Sequence, residues 1–185
     1  MALKVRRYDL RGNYRGQKAT YSACTTAKTA VVNSTAAFSN LAASATKTIR
    51  LQKVIVSAVV ATAANYVDVV LRKTSTLATG GTPTNLTQVP YISSSAAGTA
   101  AACQIYTAAP TGGTLVGTLA VQTVFGPLLG TPAVSILPVT FDYTTESEQE
   151  TPTLLAGGTQ SFELGFGTAP GNAATVTVTW IWTEE

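Results

Sequence analysis

Thr175-Val176-Thr177-Val178-Thr179-Trp180-Ile181-Trp182-Thr183 is the stretch that decides the fold. Every second residue from Val176 to Trp182 is large and apolar, and the positions between are Thr except at Ile181. A period of two is the strand period, so Val176, Val178, Trp180 and Trp182 make one apolar row on one face of a sheet. β-Branched Thr suits the other face, because it packs on a pleated surface and stays wettable. The Trp row is assigned to the interior between two sheets; the opposite assignment would make it an exposed platform for stacking sugars.

The runs further back along the chain also read as strands. Phe162, Leu164 and Phe166 alternate with Ser161, Glu163 and Gly165, and Pro170-Gly171-Asn172 is turn chemistry, so this run is expected to form a hairpin with the last one. Val67, Val69 and Leu71 face one way and Tyr66, Asp68, Val70 and Arg72 the other. Ile49, Leu51, Ile55 and Val59 share a face of Thr46 to Ala61, whose second half is apolar on both sides and reads as a strand covered on both faces. Leu115, Leu119, Val121 and Phe125 form a further alternating set, with Gly117 and Thr123 in step. Pro138 interrupts Val134 to Tyr143 and places that run at an edge or a bulge. Ser34 to Thr46 has helical spacing at Ala36, Ala37 and Leu41, but its Thr, Ser and Asn content argues against a helix. Many short strands punctuated by Gly80-Gly81, Gly112-Gly113 and Gly157-Gly158 define an all-β sandwich or barrel.

Composition narrows the class. A chain of 185 residues suits one domain. Hydrophobic residues make up 45%, enough for a core, and charged ones only 11%, against a typical quarter. Val54 to Ala64, the longest apolar run, is broken by Ser57 and Thr62 and falls short of the ~20 residues a spanning helix needs. The absence of His removes the commonest general base and metal ligand. The start, Met1-Ala2-Leu3-Lys4-Val5-Arg6-Arg7, lacks the apolar region of a secretory signal, so synthesis in the cytoplasm is expected.

The net charge of +3 hides a split. All 12 Lys and Arg lie at or before Lys73, opposed there only by Asp9 and Asp68; the seven remaining acidic residues have no basic companion after that point. Half of the cations fall within residues 1–18, so the chain divides into an extended basic arm, 1–18, and a single sandwich domain, 19–185. Lys4, Arg6, Arg7, Arg11, Arg15 and Lys18 interleave with Tyr8, Leu10 and Tyr14, and Tyr with Arg is the vocabulary of a protein interface. The alternatives are a solvated tail and a phosphate-binding arm; the chain offers no basic groove or nucleic-acid module beyond it, so nucleic acid is not the expected partner. A positive arm and a negative body also favour contact between neighbouring copies.

Reaction chemistry finds little support. Cys24 and Cys103 are expected to be buried free thiols, and neither has a His to activate it. Asp142, Glu146, Glu148 and Glu150 form the one carboxylate cluster. A hard-cation site and a glycosidase pair are both conceivable there, but a solvated acidic loop or edge strand accounts for it more simply. No cofactor is expected.

Several short motifs carry a resemblance. Val69-Val70-Leu71-Arg72-Lys73-Thr74-Ser75, Thr79-Gly80-Gly81-Thr82, Val89-Pro90-Tyr91, Ile105-Tyr106-Thr107-Ala108-Ala109-Pro110-Thr111, Gly113-Thr114-Leu115-Val116-Gly117 and the ending Trp182-Thr183-Glu184-Glu185 resemble small virion proteins of tailed bacteriophages. The resemblance covers residues 65–185 and leaves the arm outside. It implies a jelly-roll-like antiparallel sandwich acting as a capsid decoration or cement protein, made in the bacterial cytoplasm and placed on the capsid surface. Its implied partners are the major capsid protein and neighbouring copies of itself, a trimer being favoured, with no membrane. A tail or fibre module binding a host-surface glycan through loops such as Thr74 to Val89 is the alternative, and a carbohydrate-active enzyme using the Glu cluster is the third reading.

Overall fold

The computed structural model describes residues 18–30, 36–60, 66–92, 95–100, 102–125, 138–144, 151–167 and 174–185. Arm residues 1–17, the turn Pro170-Gly171-Asn172, the first part of the Val134 run, and Glu146, Glu148 and Glu150 lie outside the described residues.

Among the described residues all regular structure is β: β1 (Ala19–Cys24), β2 (Lys28–Ala30), β3 (Ala37–Ala42), β4 (Ile49–Val60), β5 (Tyr66–Thr74), β6 (Pro83–Asn85), β7 (Val89–Pro90), β8 (Cys103–Tyr106), β9 (Leu115–Phe125), β10 (Val139–Asp142), β11 (Thr153–Leu154), β12 (Ser161–Phe166) and β13 (Ala174–Glu184). They form two sheets. One runs β10-β4-β13-β1-β7, with β11 on β4 and β2 on β13; the other runs β6-β8-β3-β12-β5-β9. Every pairing is antiparallel.

Without β2, β6, β7, β8 and β11 the orders become β10-β4-β13-β1 and β3-β12-β5-β9. The chain changes sheet at every step from β1 through β3 and β4 to β5, stays there for β9, then alternates again through β10 and β12 to β13. That is the double-sheet jelly roll. The long connection between β5 and β9 supplies β6 and β8, which extend one sheet beyond β3, and β7, which extends the other beyond β1.

The core lies between the sheets. Val176, Val178, Trp180 and Trp182 are all fully buried, as the alternation requires. Val67, Val69 and Leu71 are buried on β5. Pro138 directly precedes β10, which ends the sheet path as an edge strand.

Four expectations need correction. The runs of β12 and β13 do not form a hairpin: β12 pairs with β3 and β5, and β13 with β1, β4 and β2. The two strands belong to opposite sheets, and each is flanked on both sides by other strands of its own sheet. On β4 the buried set is Ile49, Leu51, Val54, Val56 and Ala58, whereas Ile55 is only half-buried. An extra residue, Gln52, enters between the pairs Trp182–Leu51 and Ile181–Lys53 and flips the parity. The second half of β4 therefore has one covered face, with Ile55 and Ser57 on the other. Third, the alternating set of β9 marks no inward row: Leu115, Leu119 and Val121 are exposed. Register shifts opposite Leu71/Arg72 and Lys73/Thr74 insert Leu119 and Val116 as bulges, so sequence parity no longer tracks the faces. Finally, Cys24 is exposed, a point taken up below.

The helical spacing at Ala36, Ala37 and Leu41 belongs to no helix. β3 lies between β8 and β12, and every residue from Ala37 to Ala42 is buried. Continuous burial on both faces removes the two-residue alternation that would have marked it as a strand.

Candidate partner interface

Lys18 is the arm residue the structure describes. It is exposed, forms an ion pair with Glu185, and immediately precedes β1. Glu185 also accepts from Arg50 Nε at 2.6 Å. Two residues on, the Thr20 carbonyl accepts a hydrogen bond from the Tyr91 amide at 2.8 Å, where β7 extends the sheet. The arm thus joins the sandwich beside β7. Val89, Tyr91 and Ile92 there are 50%, 59% and 46% exposed, a concentration of apolar side chains next to the attachment point. Lys4, Arg6, Arg7, Tyr8, Arg11, Tyr14 and Arg15 precede that point in sequence and lie outside the described residues. Sequence reading missed Val89 and Ile92 as surface groups. The usable signal was a two-residue strand carrying Pro90, a composition suited to an edge.

Of the acidic cluster, Asp142 is the member that lies among the described residues. Asp142 binds Lys53 at 2.5 Å, and that ammonium, helped by Thr144, pulls its pKa down to about 2. Among the described residues no three His, Cys, Asp or Glu are placed to share a metal ion.

Glu163 is different in kind. It is 3% exposed and sits in a row that crosses all six strands of its sheet: Asn85, Gln104, Asn40, Glu163, Arg72 and Thr118. Glu163 Oε1 accepts the Gly113 amide at 3.2 Å. Burial pushes its carboxyl pKa up, while that amide, Ser161 and the Arg72 charge oppose the rise. Tyr106 completes the row, donating to Gln104 Oε1 at 3.1 Å and accepting from Asn40 Nδ2 at 3.0 Å. A Cβ on Gly113 would collide with the Thr76 carbonyl oxygen, so only glycine brings its amide this close. Glu163 is a brace that holds the Gly112-Gly113 turn against the sheet.

Neither indole is a sugar platform. Both are fully buried: Trp180 Nε1 donates to Ser39 Oγ at 2.9 Å, and Trp182 Nε1 donates to Glu184 Oε1 at 3.0 Å.

The cysteines behave differently from each other. Cys103 is buried inside the sandwich, and burial pushes its thiol pKa up. Cys24 closes β1 on the outer face, paired with Thr179. β1 buries Tyr21 and Ala23, so Cys24 falls on the opposite parity. Both are free thiols. Native alkylation is expected to add one label, at Cys24, with Cys103 labelled only after unfolding. Two labels under native conditions would place Cys103 outside the core.

No family model, curated protein or solved structure matches the chain. The fold is an antiparallel β-sandwich of jelly-roll order, an architecture that hosts many unrelated functions.

Proposed function

We propose that the protein is a non-enzymatic structural component of a bacteriophage virion, a decoration or cement protein that grips the outer surface of the capsid through its arm. The observation that carries this reading is the attachment of a basic, Tyr-containing arm beside the exposed Val89, Tyr91 and Ile92. Arm and apolar cluster together offer the aromatic and Arg content of an interface, with long-range attraction to an acidic shell. An extended arm loses entropy when it is ordered, and a wide shell contact offsets that loss. The absence of any Lys or Arg after Lys73 also suits a particle exposed to trypsin-like proteases.

The test uses purified capsid shells. Deleting residues 1–18 leaves β1 intact and is expected to give a folded sandwich that no longer associates stably with shells. Full occupancy by the truncated chain in moderate salt would sink the docking role. Copy number separates this reading from a glycan-binding tail module: hundreds of copies per particle mark the shell, a handful the tail. With both indoles buried, the tail-module alternative rests on loops such as Thr74 to Val89.

A further inference from the structure

The two sheet paths end in four strands, and three of these carry guards against pairing with another chain. β7 has two residues and contains Pro90; β6 has three and begins with Pro83. β10 has four, follows Pro138, and ends in Asp142, held by Lys53. β9 has eleven residues, with neither Pro nor a charged side chain. Its two bulges lie between Leu115 and Ala120, which leaves Ala120–Phe125 in unbroken register with β5. Among the described residues nothing pairs with its outer side. Leu115, Val116 and Val121 on this strand are 57%, 61% and 55% exposed.

We propose that the open edge of β9 is a self-association surface, on which two copies of this chain pair antiparallel, β9 against β9, about a two-fold axis. The axis lies at Thr123, so that residue faces its own equivalent and position 121 of one copy lies opposite position 125 of the other, where charges on the strand would be brought together. β9 brings no charge to that contact, and Val121 supplies a β-branched cross-strand neighbour. The basic arm of a neighbouring copy finds no acidic side chain on β9 to attract it. Pairing with β6, β7 or β10 of another copy meets their Pro residues and short lengths. The two-fold contact closes at a dimer, unlike the trimer favoured by the sequence resemblance. It stands apart from shell docking, because it is measured on the isolated protein.

Light scattering on the full chain, across micromolar to submillimolar concentrations, is expected to report a dimer. Val121→Lys should halve the mass while the chain keeps its folded β spectrum, since Val121 is exposed; Thr84→Lys, on the β6 edge, should leave the mass unchanged. In a Cys24→Ser background, Thr123→Cys should give a disulfide-linked dimer under mild oxidation, and Thr175→Cys on the other sheet should not. A wild-type chain that stays monomeric throughout overturns the proposal, as does a Val121→Lys chain that keeps the wild-type mass. So does a Thr123→Cys chain that fails to cross-link, the result expected if residues 126–137 of the same chain cover the edge.

Discussion

Replacing Trp180 by Ala is expected to cost about 3–5 kcal/mol, a large share of the roughly 5–15 kcal/mol that holds a domain folded. The side chain is fully buried on the strand that pairs with both β1 and β4, so truncation opens a void that sheet partners on either side cannot close. Ser39 Oγ loses the indole donor but still donates to the Gln104 carbonyl at 2.8 Å, so the penalty is mainly one of packing. For a chain of this length the melting temperature should fall by roughly 10 °C. Trp180→Phe should lose less, because it keeps an aromatic body. In either variant Trp182 is the sole remaining indole. Its emission should stay blue-shifted and resist an aqueous quencher. Red-shifted, easily quenched emission with little thermal penalty would contradict the core assignment.

Glu184→Ala should be nearly as damaging, for a different reason. Its carboxylate is 7% exposed and accepts three hydrogen bonds: from Trp182 Nε1 at 3.0 Å, and from the amide and hydroxyl of Thr99 at 2.8 Å each. Truncation strands buried donors, at a cost of about 3 kcal/mol in total. It also releases the tie between β13 and the connection from β5 to β9. Denaturant melts should show the loss, and amide exchange at Thr99 should quicken beyond what global destabilisation explains. Glu184→Gln, which keeps one acceptor oxygen, should fall between the two. A loss below about 1 kcal/mol would mean that water replaces the carboxylate without penalty.

The parts of this fold legible in sequence are those where one face is buried and the strand is regular. β13 meets both conditions, and its inward row is the one the alternation marks; on β5 the marked row is buried as well, but Val70 on the other face is buried with it. β4 and β9 fail the second condition. One bulge on β4 and two on β9 shift the parity, and nothing in the residues at Gln52, Val116 or Leu119 announces them. β3 fails the first, since burial on both sides erases the period. The hairpin error between β12 and β13 has a broader cause: a local turn signal shows that the chain reverses but not which sheet it enters. The partner surface was half legible. Charge marks the arm, but the proximity of Val89, Tyr91 and Ile92 to its root depends on β7 pairing with β1 across some 70 positions of sequence, a relation no local pattern carries.

The position of β13 also governs the order in which the sandwich can form. It follows every other described strand in the chain, yet it is the centre of its sheet, joining Ala19 of β1 to its own Glu184 and Ile49 of β4 to the same residue. Until it arrives, β1 and β4 have no common neighbour and the Trp row has no occupant. Contacts this distant in sequence carry a high loop-closure cost before they return any stability, which puts folding in the slow, millisecond-to-second range of all-β topologies. During synthesis the described strands before β13 therefore stay incompletely paired, with apolar surface exposed, until it emerges.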